Sequence, residues 1–507
     1  MQTYSLSTHV KARSLSMSIR PLLLALVCLL RVAYGQGPGT GVIAPPGDEP
    51  NQELYGAHIQ RTMTLLQTSN AQHRWPVKVL MYGQSIVGSD VFTADIKKYL
   101  QDKYPYADIT VENRAIGGFQ ADRLVRTSTS DLYPNYPDLL IFHDYDGNSR
   151  DETGRSGELE RIISNVRRYT TADIILFNDH LNMNEPLSEV SADYWRYLAA
   201  KYDCELVDVT REWPRYVKEH NLEVKDLLRD KVHPNEDGLA LLTALIARHL
   251  RFNPIFSDPW ESKVRSYEAK RSLDEAVNDE IVTTGDGWHL DTEGVIGTKK
   301  TDKLRLEFEG NRVDIVAAHT KPLVSGGTAQ ILIDGKTPSK FPAAYMATLP
   351  SKGPRTWWPA LRRVILGKDP VLEDWTLTVT SFSSDGKDIK FNLVGSKTGP
   401  DGNGTSAESF RSKSGRIVID PRDWMFAAIM KQFKQAAPPA AGYQVHWSVV
   451  PEFIDQYRAP KTNEIDKVYQ TMLIQGISNT HHVLEIIPNG DGSIPIASIV
   501  AYRPPLR

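Results

Sequence analysis

Apolar positions follow two different rhythms along this chain. From about 55 to 255, short apolar runs alternate with segments of helical spacing. The runs at 77–83 (VKVLMYG), 107–115, 138–144, 172–179 and 204–210 predict buried strands. The stretches at 91–104, 156–170, 190–203 and 235–250 bring apolar residues round every three or four positions and predict helices. Strands alternating with helices of this length imply a parallel sheet covered on both faces. In such a sheet, ligands bind at the carboxyl ends of the strands.

From about 285 the rhythm changes to short alternating strands, separated by Gly, Asn, Asp and Pro turns. That pattern predicts an antiparallel β-sandwich of jelly-roll type over 285–507. Residues 256–284 read as a mostly helical connector. The stretch 421–475 is mixed, with one helix expected at 423–435 (DWMFAAIMKQFKQ).

The N-terminus carries a third pattern. Lys11, Arg13 and Arg20 precede the apolar run PLLLALVCLL, and the small residues Ala33 and Gly35 follow it. This reads as a signal peptide over 1–35 and predicts a secreted or periplasmic protein. The apolar run is about half the roughly 20 residues a membrane span needs. No later stretch is long enough to cross a bilayer. Residues 36–54, rich in Gly and Pro, read as a flexible linker ahead of an α/β unit at 55–255.

Charge and cysteine content narrow the classes. Without the four basic residues of the signal, 55 Lys+Arg face 62 Asp+Glu, a net charge of −7. A nucleic-acid partner would favour a basic surface. Signal removal leaves Cys204 as the one cysteine, so no intrachain disulfide is expected. Its setting, KYDCELVDV, reads as a buried strand start rather than a nucleophile. No zinc-type Cys/His spacing and no Walker-type phosphate loop occurs, so neither metal nor cofactor is expected. His481 and His482 are neighbours on a strand, point to opposite faces, and make poor co-ligands.

Two local signals carry chemistry. The first predicted strand ends in Gly83-Gln84-Ser85, where the glycine permits a tight turn that exposes the serine. Before the last helix stands Asp230-Lys231-Val232-His233-Pro234-Asn235. A serine nucleophile needs a base to take its proton, and the base needs a carboxylate to orient it. Asn235 reads as the N-cap that holds this loop on its helix, and Ser89 as the N-cap of the helix after Ser85.

A serine after the first strand and a D-x-x-H before the last helix resemble the SGNH/GDSL hydrolase superfamily, over about 76–250. The resemblance implies a three-layer, flavodoxin-like α/β/α fold. It implies Ser85 as nucleophile, Asp230 as orienting acid and His233 as general base. The block Glu112-Asn113-Arg114-Ala115-Ile116-Gly117-Gly118 matches the family's second block, whose glycine N–H joins the Ser85 N–H in the oxyanion hole. Gly118 is the better match and Gly117 the next. Two positions depart from the family. Gln84 replaces the aspartate of Gly-Asp-Ser, and His143-Asp144-Tyr145-Asp146-Gly147-Asn148 replaces Gly-x-Asn-Asp. Asn148 is the candidate third oxyanion donor, with His143 or a backbone N–H as alternatives. Gln84, His143, Asp144 and His180 are candidates for the substrate pocket, and Asn178 and Asp179 share the crevice with His180.

The resemblance implies a serine esterase acting through an acyl-enzyme on an acylated carbohydrate, most of all on O-acetyl groups. Esters of lipids or small acyl groups are the alternative substrates. A non-catalytic carbohydrate-binding or cell-surface protein on the same scaffold is the rival class. Trp357, Trp358 and Trp375 are the aromatics that would either stack on sugars or pack in the core.

Overall fold

The computed structural model describes residues 43–145, 157–256, 263–271, 276–320, 326–435 and 438–507. The expected signal at 1–35, the first part of the linker and Asn148 lie outside the described residues.

The parallel sheet is built from β1 (Pro76–Gly83), β2 (Asp108–Asn113), β3 (Leu139–His143), β4 (Asp173–Phe177) and β5 (Glu205–Val207), in the order β2-β1-β3-β4-β5. Every adjacent pair in it is parallel. This is the flavodoxin-type order, and its switch point lies between β1 and β3. Apart from Lys78, His143 and Asp173, the central strands β1, β3 and β4 carry apolar or aromatic side chains, because both faces are covered. Along β1, Val77, Val79 and Met81 enter one core, while Leu80 and Tyr82 enter the other. The same two-residue alternation divides Leu139 and Ile141 from Leu140 and Phe142 on β3.

The first core is closed by α1 (Gln60–Thr68), α2 (Asp90–Lys103), α6 (Val209–Glu219) and α7 (Glu236–His249). The second is closed by α3 (Ala121–Asp131), α4 (Gly157–Tyr169) and α5 (Glu189–Lys201). The result is three layers, as the alternating pattern predicts. Three helices, α1, α3 and α6, are not predicted by the sequence pattern. Pro214 lies inside α6 and reads locally as a breaker. The helix persists because Trp213 and Tyr216 are buried on its inner face.

The second region is mainly β, as predicted, and it holds two apolar cores. The first gathers a seven-stranded antiparallel sheet, including Lys303–Val316, Gln470–Pro488 and Ser498–Tyr502. The second gathers a five-stranded sheet, including Asp374–Phe382, Ile389–Gly395 and Gln444–Pro451. The strands of this second core all fall between Thr328–Ile333 and Gln456–Arg458, which pair within the first sheet. The second core is therefore an insertion in the first. The expected helix at 423–435 forms over Phe426–Gln432.

Two expectations are corrected. The connector at 256–284 is not helical in its described residues beyond the short turn at Pro254–Phe256. Val264–Glu268 and Ile281–Thr284 are strands. They pair with Ser498–Tyr502 and Lys303–Val316, and these distant partners override the local helical composition. The linker read over 36–54 is packed where it is described. Glu49 is buried and ion-paired to Arg211 and Arg215 on α6, and Tyr216 donates to the Ala44 carbonyl.

The insertion packs directly on the α/β part. Trp358, Met425 and Ile429 join the core that α3, α4 and α5 close. Asp423, fully buried, pairs with Arg126 of α3 and lies 3.2 Å from Arg363.

Candidate active site

The site lies where β1 leaves the sheet at its switch point. Gly83 has a φ of 142°, and a Cβ there would overlap the His143 carbonyl of the adjacent strand. The glycine thus lets the chain turn against β3 and raise Ser85 out of the sheet. Asn113, at the end of β2, braces the following loop. Its amide donates to the Val87 carbonyl and to Thr93 Oγ1, each at 2.7 Å. Ser89 caps α2, accepting from Phe92 N–H. No local pattern marks Asn113 for this role, because its partners sit on other elements.

The loop bearing Asp230 and His233 is pinned from several directions. Asn235 caps α7 by accepting from Gly238 N–H at 2.9 Å, and its own amide donates to the Asp226 carbonyl. Arg229 N–H donates to the His233 carbonyl, and Asn235 N–H to the Leu227 carbonyl. His180 Nε2 donates to the Val232 carbonyl at 2.6 Å.

This bracing brings the Asp230–His233 pair into line with the distant Ser85. His233 Nε2 lies 2.9 Å from Ser85 Oγ. His233 Nδ1 lies 2.9 and 3.1 Å from the two Asp230 oxygens. One Asp230 oxygen also accepts the Val232 and His233 backbone N–H groups, each at 2.8 Å. Burial pushes the Asp230 carboxyl up, but those two N–H groups and the imidazole outweigh it and hold it down at about 2. It is an anion at neutral pH, and its contact with Nδ1 leaves Nε2 as the acceptor facing Ser85.

Gln84 is buried beside the serine. Its Oε1 accepts from Ser85 Oγ at 2.6 Å and from Ile86 N–H at 3.2 Å. The Ser85 proton thus has two acceptors, Gln84 Oε1 and His233 Nε2.

The turn after β2 lies against the serine. Ile116 N–H donates to the Gly83 carbonyl, and a Cβ on Gly117 would sit 3.4 Å from Ser85 Cβ. Among the described residues, the N–H groups of Ser85 and Gly118 donate to no protein acceptor.

The other pocket candidates do not line an open crevice. His143 is fully buried, its ring stacked on Phe177, with Nδ1 2.9 Å from the Phe177 carbonyl. Burial drives its imidazole down to about 3. His180 is buried against Trp213, and burial drives it down to about 4. Both are neutral, and His180 acts on the Val232 backbone instead of on the crevice. Asp144 is also fully buried. Asn178 bonds Asp208 and Thr210 N–H at the start of α6.

Cys204 is buried just before β5, and burial pushes its thiol up to about 11. His481 and His482 bond different partners, Glu307 and Asp334.

The tryptophans part company. Trp375 and Trp358 are buried, but Trp357 is 57% exposed beside the Ser85 turn. Trp357 Nε1 and Trp358 Nε1 donate to the Gly117 carbonyl at 3.0 and 2.7 Å. Both rings pack edge-on against Phe433. No sequence signal links residues 117 and 357, since only the insertion's packing joins them.

The crevice is shallow. The Asp230 side chain is 51% exposed and that of His233 29%. A cavity of about 750 Å³ lies at the opposite end of β1, between the two regions, lined by Pro76, Lys78, Asp138, Arg312 and Tyr502. It does not touch the groups described here. No described helix is long and apolar enough to cross a membrane.

No protein-family model and no curated protein matches the chain. Among solved structures, it is similar to a two-domain esterase (CEX) active on acetylated mannans, crystallised with mannopentaose. That likeness has 14% identity and a TM-score of 0.34, over 90% of this chain and 99% of the other. It is also similar to Axe2, an acetylxylan esterase from Geobacillus stearothermophilus. Here identity is 20% and the TM-score 0.30, over 36% of this chain and 97% of the other. Likenesses this distant carry no inference about activity.

Proposed function

We propose that this chain is a serine esterase in which Ser85 is the nucleophile, His233 the general base and Asp230 the orienting acid. The observation that carries the reading is the continuous approach from Ser85 Oγ to His233 to Asp230. His233 Nε2 takes the Ser85 proton as Oγ attacks the ester carbonyl carbon. The Asp230 anion stabilises the imidazolium and holds its tautomer. The Ser85 and Gly118 N–H groups receive the oxyanion, and each such donor is worth about 2.7–4 kcal/mol in the transition state. The C–O bond to the alcohol breaks, and the alcohol leaves with the proton held on His233. Water then attacks the acyl-serine with His233 again as base, and the acid is released.

The substrate proposed is an O-acetylated carbohydrate. A shallow crevice admits a polymer, and the exposed Trp357 indole offers a flat apolar face next to the nucleophile. A sugar ring presents C–H groups that pack on such a face. The protein is proposed to be exported, on the pattern of residues 1–35.

The test is release of acetate from acetylated mannan and xylan, and of p-nitrophenol from p-nitrophenyl acetate. Wild type is expected to turn over and Ser85→Ala to fall to background. Undiminished turnover in Ser85→Ala refutes the reading.

A further inference from the structure

The contact between the two indoles and Gly117 reaches the reacting atoms through one peptide bond. Residues Ile116 to Phe119 form a tight turn, closed by Phe119 N–H donating to the Ile116 carbonyl at 3.0 Å. Gly118, third in this turn, has a φ of 83°. That value marks a type II turn, which requires glycine there. Types I and II differ by rotating the central peptide, here Gly117–Gly118, by about half a turn. The same four residues can therefore present the Gly118 N–H to either side of the turn.

What selects the side is on the other half of the peptide. The Gly117 carbonyl accepts both Trp357 Nε1 and Trp358 Nε1. A trans peptide directs its C=O and N–H in opposite senses. Seating the carbonyl on the indoles therefore directs the Gly118 N–H away from the insertion, and no described protein group accepts it. Hydrogen bonds to a carbonyl also polarise the N–H of the same peptide and strengthen it as a donor. The indoles are themselves fixed. Phe433 packs against both rings, and the Arg123 guanidinium lies 4.7 Å from the Trp358 ring centre while donating to the Gly118 carbonyl at 3.0 Å.

The geometry points to Trp357 and Trp358 as positioning residues that hold the Gly117–Gly118 peptide in the orientation where Gly118 N–H serves the oxyanion. This inference rests on the esterase reading above. It gives the β insertion a part in the chemical step, whatever further part it has in holding substrate. Neither indole touches the reacting atoms, and both act through the peptide they grip.

The experiment compares wild type, Trp358→Phe, Trp357→Phe and the double variant, with Ser85→Ala as control, on p-nitrophenyl acetate. Phenylalanine keeps an aromatic ring and removes the donor together with the volume of the second ring, which matters for packing at the buried Trp358 and little at the exposed Trp357. Losing an oxyanion donor lowers kcat by about 10²–10³. The double variant should approach that loss, and each single variant should fall by about tenfold, as expected when a donor is misaimed rather than deleted. KM should stay within about twofold, because the interaction is made in the transition state. Inhibition by phenylboronic acid, whose serine adduct is tetrahedral and anionic, should weaken in parallel with kcat, and in the exposed Trp357→Phe the melting temperature should hold while it does so. Unchanged kcat in both single variants and the double variant, with Ser85→Ala inactive, overturns the inference and leaves the esterase reading standing. A rise in KM with kcat constant overturns it too. Should Trp358→Phe not fold, the half-exposed Trp357→Phe decides by the same readouts. Full activity in Ser85→Ala removes the esterase reading itself.

Discussion

The α/β region and the mainly β region meet at one crevice and bring different things to it. The α/β region supplies every side chain in the Ser85–His233–Asp230 chain, all on loops at one end of its sheet. Among the described residues, the β insertion supplies no acid, base or nucleophile there. It supplies two N–H groups to a backbone carbonyl, and a buried aspartate that ties it to α3. A proton-transfer chain needs side chains within hydrogen-bond reach of one another. A backbone donor needs only to be aimed, and the aiming can come from a distant part of the chain.

The largest blow to this contrast is struck within the α/β region. Asp230→Asn keeps the shape of the carboxylate but alters the imidazole tautomer facing Ser85. Under the proposed roles, steady-state kinetics should show kcat falling by about 10⁴, with the fold intact by circular dichroism. A fall of only a few-fold would mean that Asp230 acts as a loop brace and not as part of the proton chain.

The tie between the regions can be cut separately. Asp423→Ala leaves Arg126 buried with one partner fewer, and Asp420 lies 3.4 Å from it as the remaining anion. Breaking a buried pair in this way costs about 3–5 kcal/mol. Denaturant unfolding should show that loss, and esterase activity should drop along with it as the insertion loosens from the Ser85 turn. Loss of stability with full activity in the surviving folded fraction would show that the insertion is not needed at the site.

The smallest effect sharpens the contrast through pH. His180 and His143 are held neutral by burial, at about 4 and about 3. In the unfolded chain a histidine takes up its proton near about pH 6.5. As pH falls below that value the unfolded state binds more protons than the folded one. Stability present above about 6.5 is then lost progressively toward about 4 for His180 and about 3 for His143. A series of unfolding curves between pH 7 and 4 should show the decline, and His180→Asn should flatten it. A flat profile in wild type would contradict the neutral, buried assignment.

How much of this was readable follows from where each signal resides. The strands and most helices of the α/β part were legible because each is specified by its own run of apolar positions. Ser85, Asp230 and His233 are readable as candidates only in combination, as a serine after the first strand and a D-x-x-H before the last helix of one α/β unit. Val264–Glu268 was misread because its strand character comes from pairing with Ser498–Tyr502 near the far end of the chain. His143 and His180 were read as lining the crevice because they follow strands, and only packing against Phe177 and Trp213 shows them buried. The grip of Trp357 and Trp358 on Gly117 was invisible for the same reason. It is made by the docking of one region on another and has no local pattern.

The central claim is that the Ser85 oxygen becomes acylated. Wild type and Ser85→Ala, mixed with p-nitrophenyl acetate and quenched in acid within the first turnover, can be read by intact-mass and peptide-mapping spectrometry. A single added acetyl group is expected on the peptide carrying Ser85 in wild type, and none in the variant. Turnover with no acetyl on Ser85, or with the label on another residue, would contradict it.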